Sequence, residues 1–105
     1  MTRQEAIQHQ IDEIMDTFDF EEVHSWMVHS NWTWGNMDGQ ARVPDVYEIR
    51  QSARERLKQA AATGYSCTGG FTAVLVEDED EDGPWLKLDL HFGLMTINDG
   101  TSYKK

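Results

Sequence analysis

Apolar residues recur every three to four positions in the first half of the chain and every second position near its end. Ile7, Ile11, Ile14, Met15 and Phe18 form one helical stripe. Thr2-Arg3-Gln4-Glu5 opens it with the S/T-x-x-E pattern, in which two side chains satisfy each other's free backbone donors. Asp19-Phe20-Glu21-Glu22 repeats the capping logic, so a second helix starts at Phe20 after a very short break, or one helix bends there. Phe20, Val23 and Met27, joined by His24, share its inner face, and Trp26 and His29 lie on the other side. Asn31 to Gly35 breaks the period and reads as a short extended segment, followed by a polar loop from Gly35 to Gln40.

A third cap, Asp45-Val46-Tyr47-Glu48, begins the longest helix, expected from Val46 to about Thr63. Val46, Ile49, Ala53, Leu57, Ala60 and Ala61 make its narrow inner face, with Arg50, Arg54 and Lys58 stacked outside. Gly64 is placed to end it in a left-handed conformation. The period then changes to two. Phe71 to Val76 and Trp85 to Phe92 predict a β-hairpin joined by an acidic tip, Glu77 to Gly83. Leu86, Leu88, Leu90 and Phe92 face a core, while Lys87, Asp89 and His91 face water. Leu94 to Ile97 adds a third short strand, Asn98-Asp99-Gly100 a turn, and Tyr103 to Lys105 a loose tail. A lone hairpin is marginal in water, so the helices must supply the second layer. The expected fold is one α+β domain over residues 1–105, with three N-terminal helices on one face of a small antiparallel sheet built around the C-terminal hairpin.

Composition narrows the function classes. The 105 residues include four tryptophans and are 39% apolar, enough to form a core although mean hydropathy is -0.63. No apolar run reaches bilayer length and the N-terminus lacks an apolar signal core, so the expected location is cytoplasmic. Cys67 is the only cysteine, which rules out an internal disulfide and a cysteine-based zinc site within one chain. The formal charge is -10, and the run Glu77 to Asp82 supplies six of the nineteen acids. Such a surface repels nucleic acid and anionic lipid, so the partners it admits are neutral, basic or metallic.

Several separated features resemble a pattern found in small uncharacterised proteins of bacteriophages and prophages. They are Phe18-Asp19-Phe20 followed by Val23-His24, Trp32-Thr33-Trp34, Val43-Pro44 opening a helix with Ile49 and Ala53, and Thr68-Gly69-Gly70-Phe71 opening the hairpin. The resemblance spans Phe18 to Phe92 and implies an origin, with a bacterial host's cytoplasm as the location, rather than a mechanism. It leaves out the N-terminal helix and the acidic tip. A phage origin brings small inhibitors of host or defence machinery into view.

The candidate chemistry is that of binding. Asp78, Asp80, Asp82 and Gly83 match the opening of a D-x-D-x-D-G calcium loop, whose last ligand position falls on Asp89. Weak calcium binding is the metal reading. The competing one is a solvated acidic turn that keeps the tip from pairing with another chain. His24 and His29 are five apart, unlike the i, i+4 pair of a helical zinc site. Gly69-Gly70 either offers backbone donors to an anion or relieves crowding where another element packs close. With no G-x-S-x-G, phosphate loop or cysteine beside a base, catalysis is not expected; an enzymatic pocket would have to lie near His24, Arg50 and the glycine pair. Trp32 and Trp34 are expected to pack mainly under the long helix, with one of the pair left exposed if their segment is covered on one side only. An exposed tryptophan beside Trp26 would anchor another protein. The leading expectation is therefore an interaction protein: Trp26, Trp32 or Trp34 anchor, and Glu77, Asp78, Glu79, Asp80, Glu81 and Asp82 steer towards a basic partner. The acidic hairpin and the acidic first helices also permit imitation of nucleic-acid phosphates, against the plainer reading that the charge serves only solubility.

Overall fold

A computed structural model describes residues 1–33 and 42–92, and the backbone of 95–102. Trp34, the loop expected from Gly35 to Gln40 and the tail Tyr103 to Lys105 lie outside the described residues. The chain is α+β, in the order α1 (Arg3–Thr17), α2 (Phe20–His29), α3 (Val46–Thr63), β1 (Tyr65–Thr68), β2 (Phe71–Asp80), β3 (Gly83–Phe92) and β4 (Met95–Ser102). The strands form one antiparallel sheet in the order β1-β2-β3-β4.

Each helix starts where its cap dictates. The Thr2 hydroxyl accepts from the Glu5 N–H at 3.2 Å and the Glu5 carboxylate accepts from the Thr2 N–H at 3.1 Å. Asp45 and Glu48 reproduce this box at α3. Asp19 caps α2 by accepting from the Glu22 N–H, so the chain breaks between two helices instead of bending one. Gly64 ends α3 at φ 93°, and its carbonyl accepts from the Leu75 N–H at 3.0 Å, tying the C-terminal end of the helix to β2.

The hairpin is the floor of the core. Leu86, Leu88 and Leu90 are fully buried, together with Phe71 and Ala73 of β2. α1 lies against β3 and β4, and α3 against β1, β2 and β3. Ile49, Ala53, Leu57 and Ala60 fill the space beneath α3, and Phe18 and Phe20 stack towards Phe71 at centroid distances of 6.2 and 6.3 Å. One polar residue is embedded in this layer. Gln10 is fully buried on α1 and treats β3 as a neighbouring strand would: its Nε2 donates to the Leu86 carbonyl at 2.9 Å, and its Oε1 accepts from the Leu88 N–H at 2.7 Å.

The sheet departs from expectation in three places. β1 follows α3 directly and was not signalled, because Tyr65-Ser66-Cys67-Thr68 turns only Ser66 inward and so shows no apolar alternation. The glycine pair makes the β1–β2 turn, with φ of 64° at Gly69 and 92° at Gly70, the positive angles a two-residue hairpin turn demands. At its far end the hairpin is longer than its apolar pattern: β2 runs to Asp80, leaving only Glu81 and Asp82 as the turn. β4 continues through Asn98-Asp99-Gly100, where a turn was expected, since the length of β3 offers pairing as far as Trp85.

Candidate functional site

Two surfaces collect the residues singled out for binding, and they lie at opposite ends of the sheet. Phe92 and Gly83 are the two termini of β3, so about 30 Å of extended strand separates the aromatic end from the acidic tip. The molecule is correspondingly long, 50 × 24 × 19 Å.

The aromatic end is built by the way α2 stops. Ser30 is the C-cap and Asn31 adopts φ 51°. The Trp32 N–H donates to the Met27 carbonyl at 2.8 Å and the Asn31 N–H to the Val28 carbonyl at 3.3 Å. This is a Schellman motif with asparagine at the left-handed position, and its apolar contact is Trp32 on Trp26. The two indoles lie 5.2 Å apart, and Phe92 meets them at 5.5 and 6.1 Å. Trp26 remains 45% and Trp32 39% exposed. Trp32 therefore does not pack under α3 as expected, because the reversal at Asn31 folds it back onto Trp26, at the edge of the core beside Phe92. Of the three tryptophans singled out, Trp26 and Trp32 come together and Trp34 lies outside the described residues. Gly70 sits beneath this cluster: a Cβ on it would come within 2.6 Å of the Phe92 ring, so crowding adds to the demand of the turn.

The acidic end divides its carboxylates between two faces. Glu77 points to the helix side and is held by Arg3 of α1 through two hydrogen bonds, of 2.6 and 3.0 Å, so it anchors the hairpin to the helical layer. Asp78 accepts from the Glu79 N–H, and Asp80 accepts from the Asp82 N–H across the turn at 2.9 Å. None of the acids from Asp78 to Asp82 has a cationic side chain within ion-pair distance among the described residues. Asp78 is directly opposite Trp85, which places this half-buried indole on the sheet face away from the helices. Trp85 is the residue the sequence reading left out of the site. Its phase showed the placement, since Trp85 alternates with Leu86 and shares the wet face of Lys87, Asp89 and His91.

The carboxylates of the twelve-residue calcium pattern do not converge in this structure. Asp89 pairs with Val74, four residues along β3 from Trp85, so it stands about 13 Å from the level of Asp78 and farther from Asp80 and Asp82. Its carboxylate faces Lys87 at 3.8 Å instead. No group of three or more His, Cys, Asp or Glu side chains is positioned to hold a metal ion among the described residues. His9 faces Glu13 at 3.5 Å and His29 meets the Ser25 carbonyl at 2.9 Å, each within its own helix. Arg50 lies over the Phe20 ring at 5.1 Å. Cys67 is exposed on the outer face of β1, where its sulfur accepts from the Thr72 hydroxyl at 3.3 Å.

No helix among the described residues is long and apolar enough to cross a membrane. No protein-family model matches the chain, and neither the curated proteins nor the solved structures contain a significant match. Fold and surface together define a small α+β chain with an exposed aromatic cluster at one end and, at the other, an acidic hairpin tip whose acids from Asp78 to Asp82 have no ion pair among the described residues.

Proposed function

We propose that this protein works by binding another protein that presents a basic surface, as a phage or prophage accessory factor acting as an acidic inhibitor of host or defence machinery. The observation that carries the reading is the exposed Trp26–Trp32 pair on its Phe92 backing. Paired indoles that remain this accessible suit an apolar anchor, the type of residue that dominates interface energetics. The acidic tip is too far away to share a small footprint with that anchor. It contributes through its field, raising the rate of encounter with a cationic partner, while the tryptophans slow its departure. The phage assignment rests on the resemblance of the segments from Phe18 to Phe92.

The test is capture of a binding protein from bacterial lysate on the immobilised chain, followed by kinetics with the protein identified. Trp26→Ala with Trp32→Ala should weaken binding by about 2 kcal/mol or more, roughly 30-fold, mainly through faster dissociation. Neutralising Glu79 to Asp82 should slow association and flatten its dependence on salt. Capture unchanged by the tryptophan substitutions would refute the anchor, and capture unchanged by neutralisation would refute the steering.

A further inference from the structure

One flank of α3 carries a row of cations on an acidic molecule. Arg50, Arg54 and Lys58 follow each other at four-residue spacing, about 12 Å from first to last, with the exposed Tyr47 at their N-terminal end. The acids of the same helix lie elsewhere: Glu48 is bound by Arg42, and Glu55 pairs with the Gln59 amide on the opposite flank. Arg50 lies over the Phe20 ring and has no ion pair among the described residues. Arg54 and Lys58 meet no carboxylate among the described residues. Cations without a carboxylate of their own in a chain with nineteen acids leave this row open to an acidic partner from outside.

The chain's own tip cannot supply it. The C-terminal end of α3 is fastened at the level of Leu75, and β2 runs five residues farther, to Asp80, in unbroken pairing with β3. The turn therefore stands about 17 Å beyond the helix end and away from the cationic strip. We infer that the strip receives the acidic tip of a second copy of this chain, with Glu79 to Asp82 of one molecule set against Arg50, Arg54 and Lys58 of the other. The charges are complementary: four carboxylates gathered at a two-residue turn on one copy, three cations along one helix on the other. Arginine suits such a contact because its planar fork binds a carboxylate through two donors. The overall charge of -10 on each copy opposes association, but over a shorter range than the molecular length once salt is present. This inference does not rest on the proposed function, since it uses neither tryptophan of the anchor.

Sedimentation of the full chain at about 0.15 M salt should give a mass that rises with concentration above the 12.1 kDa of one copy, and returns to it at about 1 M salt, where screening is nearly complete. A strip variant, Arg54→Gln with Lys58→Gln, and a tip variant, Glu79→Gln, Asp80→Asn, Glu81→Gln and Asp82→Asn, should each associate at least tenfold more weakly alone. Mixed in equal amounts they should associate again, because one retains the tip and the other the strip. Circular dichroism checks that both are folded; if Arg54→Gln disturbs the helix, Lys58→Glu on the exposed surface replaces it. A chain that stays at the mass of one copy up to about 1 mM, the weak end of specific affinities, overturns the inference. So does association that survives in either variant alone, or a strip that binds a polyglutamate peptide or an oligonucleotide while the chain itself remains single.

Discussion

Replacing Gln10 with leucine tests how α1 is joined to the sheet. The side chains are similar in size, the site is fully buried, and the change removes one donor and one acceptor that meet β3. The Leu86 carbonyl and the Leu88 N–H each lose a partner in the core, at about 1–3 kcal/mol per group. Burying leucine where an amide stood returns about 1–2 kcal/mol. With the middle of each range, about 4 kcal/mol lost and about 1.5 returned, the expected net loss is about 2.5 kcal/mol, or roughly 10–15 °C in melting temperature for a domain of this size. Urea denaturation followed by tryptophan fluorescence measures it, and an unchanged m-value would assign the loss to stability alone. A loss below about 0.5 kcal/mol, the scatter of ordinary surface substitutions, would refute the reasoning. It would mean that the neighbouring strands satisfy Leu86 and Leu88 unaided and that Gln10 is tolerated there without holding the layers together.

Gly64 and Gly70 both adopt positive φ, yet only Gly70 has a neighbour where a Cβ would stand. Gly64→Ala should cost about 1–2 kcal/mol through its left-handed conformation. Gly70→Ala should cost about 1–3 kcal/mol more as the Phe92 ring is displaced, and equal losses in urea titrations would remove the crowding argument. Glu48 is held below the ordinary carboxylate range by the hydrogen bond from Arg42 and then by the backbone bond at Asp45. Its pKa is lower folded than unfolded, so its contribution is complete above about 4.3 and lost as pH falls through the depressed value. Helical circular dichroism should therefore show a step below about pH 4 that Glu48→Gln lacks; superimposable acid titrations of the two proteins would show that the pair contributes nothing.

What could be read in the residues follows from interactions a few positions apart. The caps at Thr2, Asp19 and Asp45, the stop at Gly64 and the buried phase of Leu86, Leu88 and Leu90 need only the periods of helix and strand and the hydrogen-bonding reach of short polar side chains. The acidic tip and the exposure of Trp26 were legible for the same reason. What was not legible depends on partners distant in sequence. β1 exists because Phe71 to Val74 offer it an edge, and the run Asn98-Asp99-Gly100 stays extended because β3 lies beside it, two pairings with no local apolar signature. Trp32 left its expected place because one left-handed asparagine turned it onto Trp26, and Asp89 was removed from the calcium pattern because strand register carried it away from the tip. The sequence by itself determined which segments would be helix or hairpin and where the charge would gather. Only the tertiary structure decided which of those residues would stand together, since a strand of ten residues carries two neighbours in the chain's composition to opposite ends of the molecule.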